Sequence, residues 1–259
     1  MNIVISSSSI HNPYASVLIY KLIQYSDKPK CIINAEKSKI IKLKNQLRKK
    51  GSQTTIKKIF QHYKIARCAN RNSRNYLKEY ALLNSIPDWN ISLSKISKKE
   101  EIEYLKIDNI NSKEAVDYIK SREVDIVINA GGGIFKKAFV SAPKIGILNA
   151  HMGFLPTFRG MNVLEWSLFY GHRIGVTLHF IDRGIDTGDI LLFKEIPIEI
   201  GESINTLRAK SLVINIELMI QGINLIKNKN ETRIKQKIEQ GKQYFVMHKR
   251  LKNLVDKSL

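Results

Sequence analysis

Asn149 and His151 stand two residues apart in the run Asn149-Ala150-His151, and Asp186 follows within Asp182-Arg183-Gly184-Ile185-Asp186-Thr187-Gly188-Asp189. Side chains alternate faces along a strand, so an Asn and a His with this spacing at a strand end point the same way. A carboxylate returned beside them by a glycine-flanked loop completes a cluster suited to moving an acyl group. The amide can donate to an oxyanion, the imidazole can carry a proton, and the carboxylate can orient the imidazole. Each residue alone has a plainer reading: a strand-end Asn or His is ordinarily a cap or surface group, and an Asp before Thr-Gly is ordinarily a turn former. The trio rises above those readings because Leu155-Pro156-Thr157-Phe158-Arg159-Gly160 and Gly175-Val176-Thr177-Leu178-His179 lie between its members, in that order.

Such a cluster needs elements to position it. Residues 2–6, Lys30–Asn34, Glu103–Ile107, Asp125–Asn129 and Lys144–Leu148 are short and apolar and read as strands. Amphipathic spacing over Tyr14–Tyr25, after Asn12-Pro13, and over Ser112–Ser121 and Gly201–Asn228 predicts helices between and after them. The alternation predicts an α/β fold, a Rossmann-like parallel twisted sheet with flanking helices and right-handed crossovers. Residues 37–90 break the rhythm and read as a helical insertion. Residues 1–228 form the predicted main domain, and 229–259 a short basic extension, with an added strand over Gln243–Met247 and a short helix over Arg250–Leu259. Ala130-Gly131-Gly132-Gly133-Ile134 follows a strand directly. Glycines there let backbone approach a ligand at the carboxyl edge of the sheet, although a tight turn is the default for such a run.

These motifs resemble those of the folate-dependent formyltransferases, which transfer a formyl group from N10-formyltetrahydrofolate to an amine. The match in order and spacing is good from about Asp125 to Pro197, loose over the first strand and helix, and absent from about Lys37 to Asn90. The resemblance implies catalytic roles for Asn149, His151 and Asp186. It implies formyltetrahydrofolate contacts from Gly133, Ile134, Phe135, Asp182, Ile185 and Asp186, the glycine turn holding the pterin through backbone groups. Acceptor contacts would come from Arg159, Met152 and Gly153, where Met152-Gly153-Phe154 departs from the family's Ser-Leu-Leu-Pro-like run. For Arg159, bracing the turn is an equal reading. Three acceptors compete. Glycinamide ribonucleotide enzymes carry a glycine-rich loop where this chain has Ser6-Ser7-Ser8-Ser9-Ile10-His11. Methionyl-tRNA enzymes carry a C-terminal barrel larger than residues 229–259 would form. Sugar N-formyltransferases of surface-polysaccharide (lipopolysaccharide) synthesis share the core with small additions, so a nucleotide-linked amino sugar is the expected acceptor. A catalytically silent RNA-binding or regulatory module with the same fold is the alternative from another class.

Composition bounds these readings. With 259 residues, 43% hydrophobic and 25% charged, the chain can bury a full core and is not a disordered one. It shows no run of eighteen apolar residues and no signal-peptide pattern, and Cys31 and Cys68 lack metal-ligand spacing, so a cytoplasmic protein with reduced thiols is expected. The net charge of +20 is concentrated: residues 37–78 hold fourteen Lys or Arg and no acidic residue, and 227–259 hold ten basic against three acidic. Such a field suits polyanions, from nucleotide diphosphates to RNA, although coding bias toward Lys yields a solvated basic face equally well. His11, His62, His172 and His248 share no metal-like spacing, and no metal is expected. His179, Trp166 and Phe169 read as core. Apolar residues in the insertion and extension are compatible with a homodimer, and the oligomeric state stays open.

Overall fold

The computed structural model describes residues 1–36 and 76–259. The insertion expected over 37–90 therefore lies largely outside the described residues; 76–83 are helical and bury Leu77 and Ala81. The remaining elements are β1 (Ile3–Ser7), α1 (Pro13–Gln24), β2 (Cys31–Asn34), α2 (Leu93–Lys99), β3 (Glu103–Lys106), α3 (Lys113–Ser121), β4 (Ile126–Asn129), α4 (Lys137–Val140), β5 (Gly146–His151), β6 (Phe158–Gly160), α5 (Val163–Phe169), β7 (Gly175–Phe180), β8 (Ile190–Glu195), α6 (Ile204–Lys227), β9 (Lys242–Tyr244) and α7 (Lys249–Lys257).

One sheet of seven strands, ordered β3-β2-β1-β4-β5-β7-β8, forms the middle layer. β1 and β2 are buried along their whole length, as strands covered on both faces must be. The first five strands are parallel, as the β-α-β pattern predicts. The last two depart from the all-parallel expectation: β7 runs antiparallel to β5, and β8 antiparallel to β7. The connection over residues 181–189 contains no helix, and a stretch that short serves an antiparallel pair but not a parallel crossover. That choice leaves the Asp186 loop on the sheet's own margin.

Asn12 starts α1 as the sequence predicts, its Oδ1 accepting from the Ala15 amide at 3.2 Å. Its Nδ2 donates to the Ala130 carbonyl at 2.7 Å, so the same cap pins α1 to the end of β4. α6 packs on β5, β7, β8 and α1. Among the described residues it alone is long and apolar enough, by length and composition, to cross a membrane, and most of its apolar window is buried within the fold.

The extension does not form the longer strand expected over 243–247. Its β9 pairs in parallel with β6 as a separate two-stranded sheet, and α7 follows at Lys249. Glu165 on α5 is fully buried and accepts from Arg208 of α6 and Lys252 of α7, which ties the extension to the core through one carboxylate. The two cations hold that carboxyl below the usual carboxylate range against the opposing effect of burial.

Candidate functional site

The strand register sets Asn149 directly opposite His179 and Asn129 opposite Ser6, so polar side chains form one row across β1, β4, β5 and β7. The direction of each hydrogen bond in that row is dictated from one end. The Gly131 and Gly132 amides can only donate, and both meet Asn129 Oδ1, at 3.2 and 2.7 Å. Asn129 Nδ2 must then donate to Asn149 Oδ1 at 2.9 Å, which turns Asn149 Nδ2 toward His179 Nε2 at 3.0 Å. That nitrogen accepts, and the proton resides on His179 Nδ1, which donates to the Phe180 carbonyl at 2.8 Å. Burial, followed by the neighbouring His151, lowers the His179 pKa from 6.5 to about 4, which keeps the ring neutral and its Nε2 an acceptor. The second amide hydrogen of Asn149 has no partner among the described residues, and Asn149 lines an open cleft.

His151 points both ring nitrogens at oxygen: Nε2 lies 3.0 Å from the Phe158 carbonyl, and Nδ1 lies 3.5 Å from Asp186 Oδ2. Only 8% of His151 is exposed, and Asp186 is its link to the cleft wall. Asp186 Oδ2 also accepts from the Gly160 amide at 2.9 Å. Its other oxygen is 3.7 Å from His179 Nε2, too far for a hydrogen bond, and that nitrogen is already an acceptor from Asn149. The structure therefore brings Asn149, His151 and Asp186 together as the spacing predicts. It adds Asn129 and His179 as the groups that aim Asn149. His179, read from sequence as a core residue because Val176 and Leu178 flank it, is buried but belongs to the site. Asn129 carried no signal beyond its place before the glycine run.

The cleft has a volume of about 490 Å³. Gly133, Ile134, Phe135, Asp182, Ile185 and Asp186, all expected at a ligand, line it. Gly133 has φ +98, and an added Cβ there would meet nothing within 4 Å, so its backbone is open to a ligand. Ile134 is 77% exposed, whereas Phe135 is buried and stacks on Phe139 at 5.3 Å, anchoring the turn. Asp182 Oδ1 accepts from the Gly184 amide and the Thr187 hydroxyl at 2.9 and 2.6 Å and so braces the opposite lip. Part of the remaining wall was not foreseen: Met161 and, from the extension, Gln243, Tyr244 and Phe245.

The three residues expected at the acceptor do not line this cleft. Arg159 is buried, and its guanidinium donates to the Ile238 and Gly241 carbonyls at 3.0 and 2.9 Å, so it braces the turn against the extension instead of facing an anion. Met152 turns its sulfur toward the Ser211 hydroxyl at 3.0 Å, on α6. Gly153 is a packing position: a Cβ would lie 2.7 Å from Val163 and 2.8 Å from His151 Nε2. Its carbonyl accepts from Thr177 at 2.6 Å, which is how the Gly-Val-Thr strand holds the turn after His151.

The chain matches the formyl transferase family over residues 30–223. It belongs to that family. The methionyl-tRNA formyltransferase of Clostridioides difficile is 34% identical over 144 residues, 55% of this chain and 47% of that protein. That of Prochlorococcus marinus subsp. pastoris is 32% identical over 184 residues, 70% of this chain and 52% of that protein. The chain thus spans about half the length of the curated relatives it matches. An N-formyltransferase from Helicobacter canadensis, solved with folinic acid and dTDP-3-aminofucose, shares the fold with TM-score 0.57 at 19% identity, over 94% of this chain and 70% of its own. A phosphoribosylglycinamide formyltransferase from Bacillus halodurans shares it with TM-score 0.58 at 19% identity, over 88% and 96%.

Proposed function

We propose that this member of the formyl transferase family is an enzyme that transfers the formyl group of N10-formyltetrahydrofolate to the amine of a nucleotide-linked amino sugar. The observation that carries the transfer chemistry is the one Asn149 amide hydrogen left unpaired and aimed by a fixed row of partners into the cleft. A preorganised donor of this kind is worth on the order of 3 kcal/mol to a developing oxyanion. The cleft suits the folate: Ile134, Ile185 and Phe245 give apolar faces, and the Gly133 backbone is uncovered. When bound there, the folate supplies the formyl carbon.

The chain's own groups do the rest. Asn149 Nδ2 donates to the formyl oxygen as the acceptor amine adds to the carbon. The Asp186–His151 pair takes the proton that the attacking nitrogen must lose. A proton returned to the departing folate nitrogen completes the exchange, leaving the N-formylated acceptor and tetrahydrofolate. His179, neutral and fully committed, takes no proton; it orients.

For the acceptor, a small molecule is favoured because β9 and Phe245 wall the cleft from within the chain. A glycinamide ribonucleotide is disfavoured because the Ser7, Ser8 and Ser9 hydroxyls donate to the Ser9, Gly131 and His11 carbonyls instead of standing open to a phosphate. Methionyl-tRNA is the second reading, favoured by the names of the curated relatives. Tetrahydrofolate release from N10-formyltetrahydrofolate, measured with nucleotide-linked 3-amino and 4-amino sugars, methionyl-tRNA and glycinamide ribonucleotide, tests both. Turnover of one nucleotide sugar, lost in His151→Ala, is the expected result. Turnover with methionyl-tRNA alone would replace the acceptor, and none with any amine would remove the enzyme reading.

A further inference from the structure

We propose that Gln236, in the segment between α6 and β9, is a positioning residue that holds Asp186 in its working conformation. The proposal rests on the formyl-transfer reading of the site. Asp186 has φ +54, in the left-handed region. That region is disfavoured for residues with a Cβ, and an Asp stays there most readily where hydrogen bonds support the turn. Two contacts from outside the 181–189 loop do so. The Gly160 amide holds the carboxylate at 2.9 Å, and Gln236 Nε2 donates to the carbonyls of both Asp186 and Gly188, at 3.1 and 2.5 Å.

Gln236 is itself clamped on either side. Two residues before it, Ile234 exchanges two backbone hydrogen bonds with Ile190 at the start of β8, each 2.8 Å. Two residues after it, the Ile238 carbonyl accepts from Arg159. The segment therefore spans the mouth of the loop with a single amide inserted into it. Because both of its partners are carbonyls, only the NH2 end of that amide can face inward. A chain of contacts then runs from the Gln236 amide to the Asp186 backbone, to the carboxylate, and to His151.

The test uses the full chain and four variants: Gln236→Met, which keeps the volume and removes the amide; Gln236→Glu; Asp186→Asn; and Gln240→Ala on the exposed turn beside it as a control. Ring 15N shifts of His151, which report the contact of its Nδ1 with the carboxylate, are recorded with melting temperature and with kcat and KM for formyl transfer. In Gln236→Met the ring shifts move toward those of Asp186→Asn, and kcat falls about tenfold to a hundredfold, as misplaced catalytic groups do, while KM for the folate changes far less. In Gln236→Glu a carboxylate faces two carbonyls, and the ratio of its kcat to wild type rises as pH falls and one O–H donor returns. Gln240→Ala matches wild type. A lowered melting temperature with unchanged ring shifts and unchanged kcat in both Gln236 variants would make the residue merely structural and overturn the proposal. Ring shifts that move in Gln236→Met, together with a wild-type protein inactive toward every amine, would leave the positioning role standing and sink the formyl-transfer reading instead.

Discussion

The two halves of the candidate site are held in opposite ways. The Asn129–Asn149–His179 row lies on adjacent strands, where ladder register sets which side chains meet and each hydrogen bond dictates the next. Asp186 lies on a loop in a disfavoured backbone conformation, and what holds it comes from Gly160 and from the segment after α6. A row borne by strands has little freedom to be wrong, because a one-residue slip would turn every side chain to the other face. A carboxylate borne by a loop has to be braced by residues far along the chain. The first half therefore supplies a donor fixed by strand register, and the second a partner for His151 fixed by distant braces.

Breaking the rigid half at its end should have the largest effect. Asn149→Ala removes the aimed amide and is expected to lower kcat by two to three orders of magnitude in a steady-state assay. Asp186→Ala should lose a similar amount if the braced carboxylate is as necessary as the row. A loss of less than tenfold there would show that His151 works without it.

His179→Leu tests whether the row acts by orientation alone. It leaves Asn149 in place without its acceptor, and an intermediate loss of about tenfold in kcat is expected. The same variant has a pH signature. His179 binds a proton in the unfolded chain below about 6.5 but in the folded protein only below about 4, so its contribution to stability is complete above 6.5 and drains away as pH falls toward 4. Acid unfolding of the wild type should lose on the order of 3 kcal/mol across that window, and His179→Leu should lose correspondingly less.

Arg159→Met addresses the brace instead of the chemistry. It removes two charge-assisted hydrogen bonds to the extension and should cost about 1–3 kcal/mol in denaturant unfolding. Faster proteolysis within residues 232–245 should accompany it. Gly133→Ala is the smallest change: φ +98 strains an alanine by roughly 1–2 kcal/mol, yet no atom opposes its methyl, so KM for the folate should rise with kcat little altered.

Much of this was legible in sequence, and the gaps have physical causes. Asn149, His151 and Asp186 stood out because strand periodicity and glycine-flanked turns are local rules. The parallel strands were legible for the same reason, through apolar runs alternating with amphipathic helices. The direction of β7 and β8 was not, because a strand's residues read alike whichever way it runs. His179 is the buried, satisfied histidine its apolar neighbours predict, but burial says nothing of what its Nε2 meets. Arg159 left two readings open, which only its partners could separate.

The sequence by itself determined the groups available for chemistry and the strand ends and turns that present them, since those depend on spacings of a few residues. The tertiary structure decided which way the Asn149 amide faces, which nitrogen of His179 carries the proton, and what Arg159 and Gln236 hold. Each of those is settled by a partner twenty or more residues away, and hydrogen-bond direction is a property of the pair and not of either residue.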